Sequence, residues 1–152
     1  MMIRKLQKKD APQVARLIHQ LTKNVVEPDH LEKRIAVLPA QKNSRFLVVC
    51  RGNRVVGFGG LVWYAIPSKG LIAWVEELVV DERFRRQGIG RALMEQFLKI
   101  ALAKKIQQVK LTSTPAAKGL YEKLGFTKKD QDYLVYNSTR LKESPPKILF
   151  SG

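Results

Sequence analysis

Only one cysteine occurs in the chain, Cys50 in the run FLVVC. An intramolecular disulfide is therefore excluded, which fits a reducing compartment. Its apolar setting reads as that of a small buried hydrophobe rather than a nucleophile. Histidine is almost as scarce. His19 falls in the helical pattern VARLIHQL and His30 in a polar turn, and with one cysteine they give no zinc-ligand spacing. No apolar run is long enough to cross a membrane. The N-terminus MMIRKLQKKD has no apolar signal core, so a cytoplasmic location is expected. Internal repeats and low-complexity tracts are also missing. Acidic residues are few, 13 against 28 lysines and arginines, for a net charge of +15. That balance favours anionic cofactors, substrates or nucleic acid as partners, although no nucleic-acid-binding motif appears.

What remains is an ordinary globular composition, 45% hydrophobic and 27% charged over 152 residues, which suits one domain. MMIRKL reads as a first strand. Asp10 and Pro12 then open a helix with Val14, Leu17, Ile18 and Leu21 on one face. Pro28 opens a second helix carrying Leu31, Ile35 and Leu38. RFLVVC and VVGFGGLVWYAI flank the turn RGNR as a hairpin, and LIAWVEELVV follows as another strand. Ile89, Leu93, Phe97, Ile100 and Ala101 stripe a long helix. VKLTST, the helix PAAKGLYEKLGF, a short strand from Phe126 and a last strand YLVYNSTRL complete the pattern. The expected architecture is α/β, a mixed and mostly antiparallel sheet of about seven strands flanked by about four helices. The core domain is expected over 1–142, with a flexible tail over 143–152.

The stretch VDERFRRQGIGRAL, Val80 to Leu93, carries the chemistry. A strand enters a glycine-containing loop and a helix leaves it. The first helical turn offers unpaired backbone N–H groups and the positive end of a dipole. Glycine lets a ligand approach, and Arg85 and Arg86 add charge, so the loop suits phosphate. It is not a P-loop, because no Gly-Lys-Ser/Thr follows. Nor is it a dinucleotide fingerprint, because the third glycine is missing.

RRQGIG, with EELVVDERF before it and GLYEKLGF after it, resembles the motifs of the GCN5-related N-acetyltransferase superfamily. The resemblance covers most of the chain. It implies that family's fold, with splayed central strands, and acetyl-CoA as cosubstrate. The pantetheine arm would lie against Leu78, Val79 and Val80, with a backbone N–H near Leu78 polarising the thioester carbonyl. The diphosphate would sit on Arg85, Arg86, Gln87, Gly88, Ile89 and Gly90. Arg91 flanks that loop, and Ser113 matches a polar position near the cofactor. Tyr121 matches the family's general acid. No metal is implied.

Glu76 and Glu77 are the candidate bases. Neighbours on a regular strand point to opposite faces, so one of the two is expected to face the cleft. The match to polyamine acetyltransferases of the family favours Glu76, with Glu77 as the substitute. The implied activity is N-acetylation of a primary amine by direct attack. An acyl-CoA- or nucleic-acid-binding module of the same fold with little catalysis is the alternative. A protein this basic is expected to prefer a small or anionic amine over a polycation. A homodimer is left open.

Overall fold

The computed structural model describes residues 1–143 and Lys147. The chain divides into two compact units, residues 1–115 and 116–152.

The first unit is built on a five-stranded sheet in the order β1-β2-β3-β4-β5. Its strands are β1 (Met2–Lys5), β2 (Ser44–Arg51), β3 (Arg54–Ile66), β4 (Gly70–Val80) and β5 (Gln108–Lys110). The first four pair antiparallel, and β5 runs parallel to β4. Two helices cover one face of this sheet, α1 (Ala11–Thr22) and α2 (Pro28–Val37). Each has proline in its first turn, where the missing N–H costs nothing. Asp10 stands before α1, but its carboxylate does not cap the helix. It accepts two bonds of 2.8 Å from Arg4 and one of 2.8 Å from the Gln7 backbone N–H. Val14, Leu17 and Ile18 of α1 and Leu31 and Ile35 of α2 pack with Val48, Val55, Phe58 and Val79 of the sheet.

The opposite face holds α3 (Ile89–Ala103), whose Ile89, Leu93, Met94, Phe97 and Ala101 are buried. Small residues in β3 make this layer possible. A Cβ on Gly57 would lie 3.0 Å from Ile89 Cγ2. One on Gly59 would lie 3.0 Å from Leu78 Cδ1 and 3.4 Å from Phe97 Cε2. Cys50 is 5% exposed and belongs to the core on the α1 side.

The second unit contains two short helices, α4 (Lys118–Lys123) and α5 (Ser138–Glu143). Here the expected element count needs correction. Among the described residues there are five strands and five α-helices, rather than about seven and four. VKLTST contributes only Gln108–Lys110 to the sheet. No strand forms at Phe126 or over YLVYNSTRL among the described residues. The apolar and aromatic run YLVY suits a strand by propensity, but no strand pairing forms there among the described residues. Tyr133, Leu134, Val135 and Tyr136 remain exposed instead. STRLKE lacks alternation, is rich in good helix formers, and becomes α5. Apart from Glu143 and Lys147, the tail expected over 143–152 lies outside the described residues.

Gly60 gives a direct test of the sheet packing. It pairs with Phe46, and a Cβ on it would fall inside the Phe46 ring, with Cζ 2.8 Å away. Gly60→Ala is expected to destabilise the protein by about 1–3 kcal/mol, the usual cost of overpacking. A denaturant titration that leaves the midpoint unchanged would show that the ring moves aside freely.

Candidate active site

The site starts from an irregularity in β4. Phe58 pairs with Val79 and Gly60 with Glu76, so Gly59 alone faces both Glu77 and Leu78. This extra residue is a β-bulge. Glu77 sits in the left-handed region at φ 54°, which an L-residue adopts at a cost of roughly 1–2 kcal/mol. The bulge breaks the alternation by which only one of the two glutamates was expected to face the cleft. Glu76 shares its face with Trp74, whose Nε1–H donates to Tyr64 Oη at 3.2 Å. Past the bulge, Val79 returns to the face packed by α1 and α2.

The bulge adjoins an open edge. β4 pairs with β5 only from Ile72 to Trp74. From Val75 to Val80 it keeps β3 on one side and has no ladder partner on the other among the described residues. An extended ligand could therefore align with this backbone as an added strand does. Leu78 is half-buried, Val79 buried and Val80 half-buried along this stretch.

β4 leads into the glycine loop. A 3₁₀ turn, Glu82–Phe84, comes first. Arg85 then donates from Nε to the Val80 carbonyl oxygen at 3.2 Å, folding the loop back onto the strand end. Arg86 has φ 63° and Gly88 φ 80°. Gly88 stands at the N-cap of α3, and its carbonyl accepts from the Ala92 N–H at 3.0 Å. Arg85, Arg86, Gln87 and Gly88 are exposed. Ile89 is buried beneath the loop against β3, which anchors the helix start. Gly90 follows it in the first turn, where the backbone N–H groups have no helical partner. Such a turn has the backbone geometry that suits an anion, and its arginines are exposed.

The remaining sequence candidates have distinct settings. Arg91 is paired with Glu95 on the next turn, Nε to Oε1 at 3.0 Å. Ser113 lies beyond the end of β5, exposed, with its Oγ donating to the Thr114 carbonyl at 2.8 Å. Tyr121 lies in α4 of the second unit, edge-on to Phe126 at 5.9 Å between ring centroids. Its burial raises the phenol pKa. Glu77 also titrates above the ordinary carboxylate range. Partial desolvation by the surrounding chain is the larger cause although Glu77 remains exposed, the adjacent Glu76 charge adds to the effect, and Arg34 of α2 pulls the other way. No group of three His, Cys, Asp or Glu among the described residues is placed to hold a metal.

Sequence reasoning missed Asp81. This carboxylate is 1% exposed and gathers groups from three elements, α1, the start of β3 and the 3₁₀ turn. It accepts from the Arg83 N–H at 3.2 Å, from Arg54 Nη2 at 3.2 Å and from Gln20 Nε2 at 3.5 Å, with Arg16 at 3.6 Å. Gln20 in turn accepts from the Glu82 N–H at 3.0 Å. Asp81 thereby ties α1 and the start of β3 to the entrance of the glycine loop. A hollow of about 340 Å³ lies beside it, lined in part by Arg16, His19 and Arg83. An acidic residue directly after the apolar run LVV was a visible signal. Its partners, 27 and 61 residues away, were not.

Residues 42–128 match the acetyltransferase (GNAT) domain family. Over 76 residues the chain is 33% identical to a glucosamine 6-phosphate N-acetyltransferase of Trypanosoma brucei brucei. That alignment takes in 49% of this chain and 52% of the relative, so the chain spans about half the length of the curated relative it matches. Among solved structures, an acetyltransferase of Trypanosoma brucei superposes with a TM-score of 0.79 at 26% identity, covering 90% of this chain and 99% of that one. Glucosamine-6-phosphate N-acetyltransferase from Arabidopsis thaliana superposes with a TM-score of 0.79 at 22% identity, covering 89% and 97%. At that identity the second likeness speaks for the fold alone.

The Asp81 cluster predicts an acid-sensitive loop. Its hydrogen bonds and arginines hold the Asp81 carboxyl below its usual range against the cost of burial. A carboxyl with a lowered folded-state pKa contributes stability above its unfolded value, and this is lost as pH falls through the folded value. Asp81→Asn is expected to cost about 2–3 kcal/mol at neutral pH, as for charged hydrogen bonds removed from a buried site. The gap from wild type should narrow below about pH 4. Urea midpoints measured across pH test this, and a gap that stays constant into acid would contradict it.

Proposed function

Because the chain belongs to the GNAT acetyltransferase family, we propose that it transfers the acetyl group of acetyl-CoA to a primary amine whose carrier also bears an anionic group. The observation that carries this reading is the free edge of β4, bulged at Glu77 and continuous with the glycine loop. Pantetheine would pair with Val79 and Val80 along that edge. The diphosphate would rest on the amides and arginines from Arg85 to Gly90, with Arg91 and Ser113 at the periphery.

In the proposed reaction the acceptor ammonium first loses a proton to a carboxylate. The amine nitrogen then attacks the thioester carbonyl, and a backbone N–H near Leu78 stabilises the oxyanion. The C–S bond breaks as the Tyr121 phenol protonates the departing thiolate, and the second proton on the nitrogen is lost to solvent as the amide forms, solvent in turn restoring the phenol. Tyr121 is assigned this role by its place in GLYEKLGF, the family-like motif.

We assign the two carboxylates different tasks. With the bulge, facing no longer separates Glu76 from Glu77. The pKa of Glu77 is shifted upward, the direction that favours a carboxylate as a base, and Glu76 supplies a neighbouring charge that contributes to the shift. Glu76 then orients the ammonium. Arg34, close enough to act on Glu77, supports a carrier with a phosphate or carboxylate beside its amine. An amino-sugar phosphate has that chemistry, and a protein of net charge +15 would repel a polycation.

The reading is tested by acetyl-CoA calorimetry together with thiol release over a panel of amines. Acetyl-CoA is expected to bind, and glucosamine 6-phosphate or another anionic amine to outperform spermidine. A preference for spermidine would remove the anionic-acceptor reading. Binding without turnover on any amine would favour a non-catalytic module.

Two variants address the roles of individual residues. Glu77→Gln is expected to lower kcat/KM strongly near neutral pH and to recover partly toward the pKa of the amine, where no base is needed. Glu76→Gln should raise KM for the amine with a loss that does not shrink at high pH. The reverse pattern would exchange the two roles.

Tyr121→Phe keeps the ring but not the proton donor. A fall in kcat of about 10²-fold with acetyl-CoA affinity unchanged is expected, and full activity would mean that solvent protonates the thiolate.

A further inference from the structure

The Glu76 carboxylate answers the ammonium of the proposed acceptor. The acceptor's anionic group needs a cation within the length of one small molecule. Arg34 of α2 already acts on the Glu77 carboxyl. The sheet supplies another candidate. The pairing of β5 with β4 ends at Lys110, which stands directly opposite Trp74. Trp74 and Glu76 are alternate residues on the regular part of β4, before the bulge, so their side chains share a face. Lys110 is turned to that face as well, because its Nζ lies 5.6 Å from the Trp74 ring centroid. With strands about 4.8 Å apart and a rise of about 3.3 Å per residue, the Cα atoms of Lys110 and Glu76 lie roughly 8 Å apart.

This cation is held in place but not neutralised. The face of the Trp74 ring attracts the ammonium. The indole N–H donates to Tyr64 Oη at 3.2 Å, which fixes the orientation of the ring. Lys110 belongs to none of the ion pairs among the described residues. No aspartate or glutamate occurs between Glu95 and Glu122, so its own segment offers it no carboxylate. Trp74 and Lys110 are half-buried, and Glu76 and Tyr64 are exposed, so the group is open to a solute. The phosphates of a cofactor do not account for Lys110. The glycine loop begins beyond Val80, about 20 Å along β4 from Trp74, which is further than a lysine side chain reaches.

We infer that Lys110 is the specificity-determining residue of the acceptor site: it binds the phosphate or carboxylate of an acceptor whose ammonium sits at Glu76, and so selects amines that carry their anion on the order of 8 Å away. The inference rests on the acetyl-transfer reading for the role of Glu76. An α-amino acid cannot bridge the two residues, because its nitrogen and carboxyl carbon are only about 2.5 Å apart. A diamine would set its second ammonium against Lys110. An amino sugar with its phosphate across the ring has the required spacing, and its ring would lie along Trp74, between the two charges.

The test compares glucosamine 6-phosphate with glucosamine, by thiol release for kcat/KM and, independently of turnover, by calorimetry of binding. Lys110→Met keeps an apolar stem over Trp74 and removes the charge. The preference for the phosphorylated acceptor, taken as the ratio of the two kcat/KM values, is expected to fall about 10–100-fold, as for one hydrogen bond to a charged group. The loss should lie in KM rather than kcat. Lys110→Arg should restore most of the preference. The ratio does not depend on the fraction of enzyme folded, and a purely structural Lys110 would lower both acceptors alike. Glucose 6-phosphate, which has the anion but no amine, should bind the wild type in calorimetry and lose affinity in Lys110→Met by a similar factor. That binding pattern without thiol release from any amine would support the Lys110 assignment and sink the acetyl-transfer reading alone. No preference in the wild type, or a preference and a glucose 6-phosphate affinity unchanged in Lys110→Met, would overturn the inference. Loss of the preference in Arg34→Ala with Lys110→Met unaffected would overturn it in favour of Arg34.

Discussion

A single inserted residue in β4 organises the proposed active site. Opposite Gly59 the strand carries both Glu77 and Leu78, and this local mismatch has three consequences. It resets the alternation, so that Leu78 packs toward α3 while Val79 packs toward α1 and α2. It holds Glu77 in a left-handed conformation that costs free energy and is retained beside a desolvated carboxyl. It also marks the region where β4 runs on without β5. A regular strand paired throughout would be more stable but would leave no backbone free for a ligand.

The glycine loop depends on anchoring at two depths. Ile89 is buried under it, in room left by Gly57. Asp81 fastens its entrance to α1 and to the start of β3. Between these anchors Arg86 and Gly88 take positive φ values, and the arginines remain in solvent. Flexible cationic side chains are thus mounted on a fixed backbone, which lowers the entropy cost of holding an anion.

The parts legible in the sequence were those with local causes. Pro12 and Pro28 marked helix starts, apolar stripes marked α1 to α3, and two β-rich runs around a Gly-Asn turn marked the β2–β3 hairpin. The glycine loop was legible because strand, glycine and helix are contiguous. The bulge was not, because two adjacent glutamates look the same in a regular and in a bulged strand, and only the register with Gly60 distinguishes them. The Asp81 cluster was hidden by sequence distance. YLVY misled because strand propensity states that a segment can pair, whereas a strand also needs a partner at hand.

The burial of Cys50 has a consequence for the end of the catalytic cycle. An acetyltransferase that releases coenzyme A liberates a free thiol at its own surface on every turnover. A protein thiol within reach of that product could be captured as a mixed disulfide whenever the surroundings turn oxidising. Here the single cysteine thiol is sealed between the sheet and α1, only 5% exposed, so access to it is blocked. The folded chain therefore offers almost no protein thiol to the coenzyme A that the proposed reaction would release, and oxidative stress should leave the two unjoined.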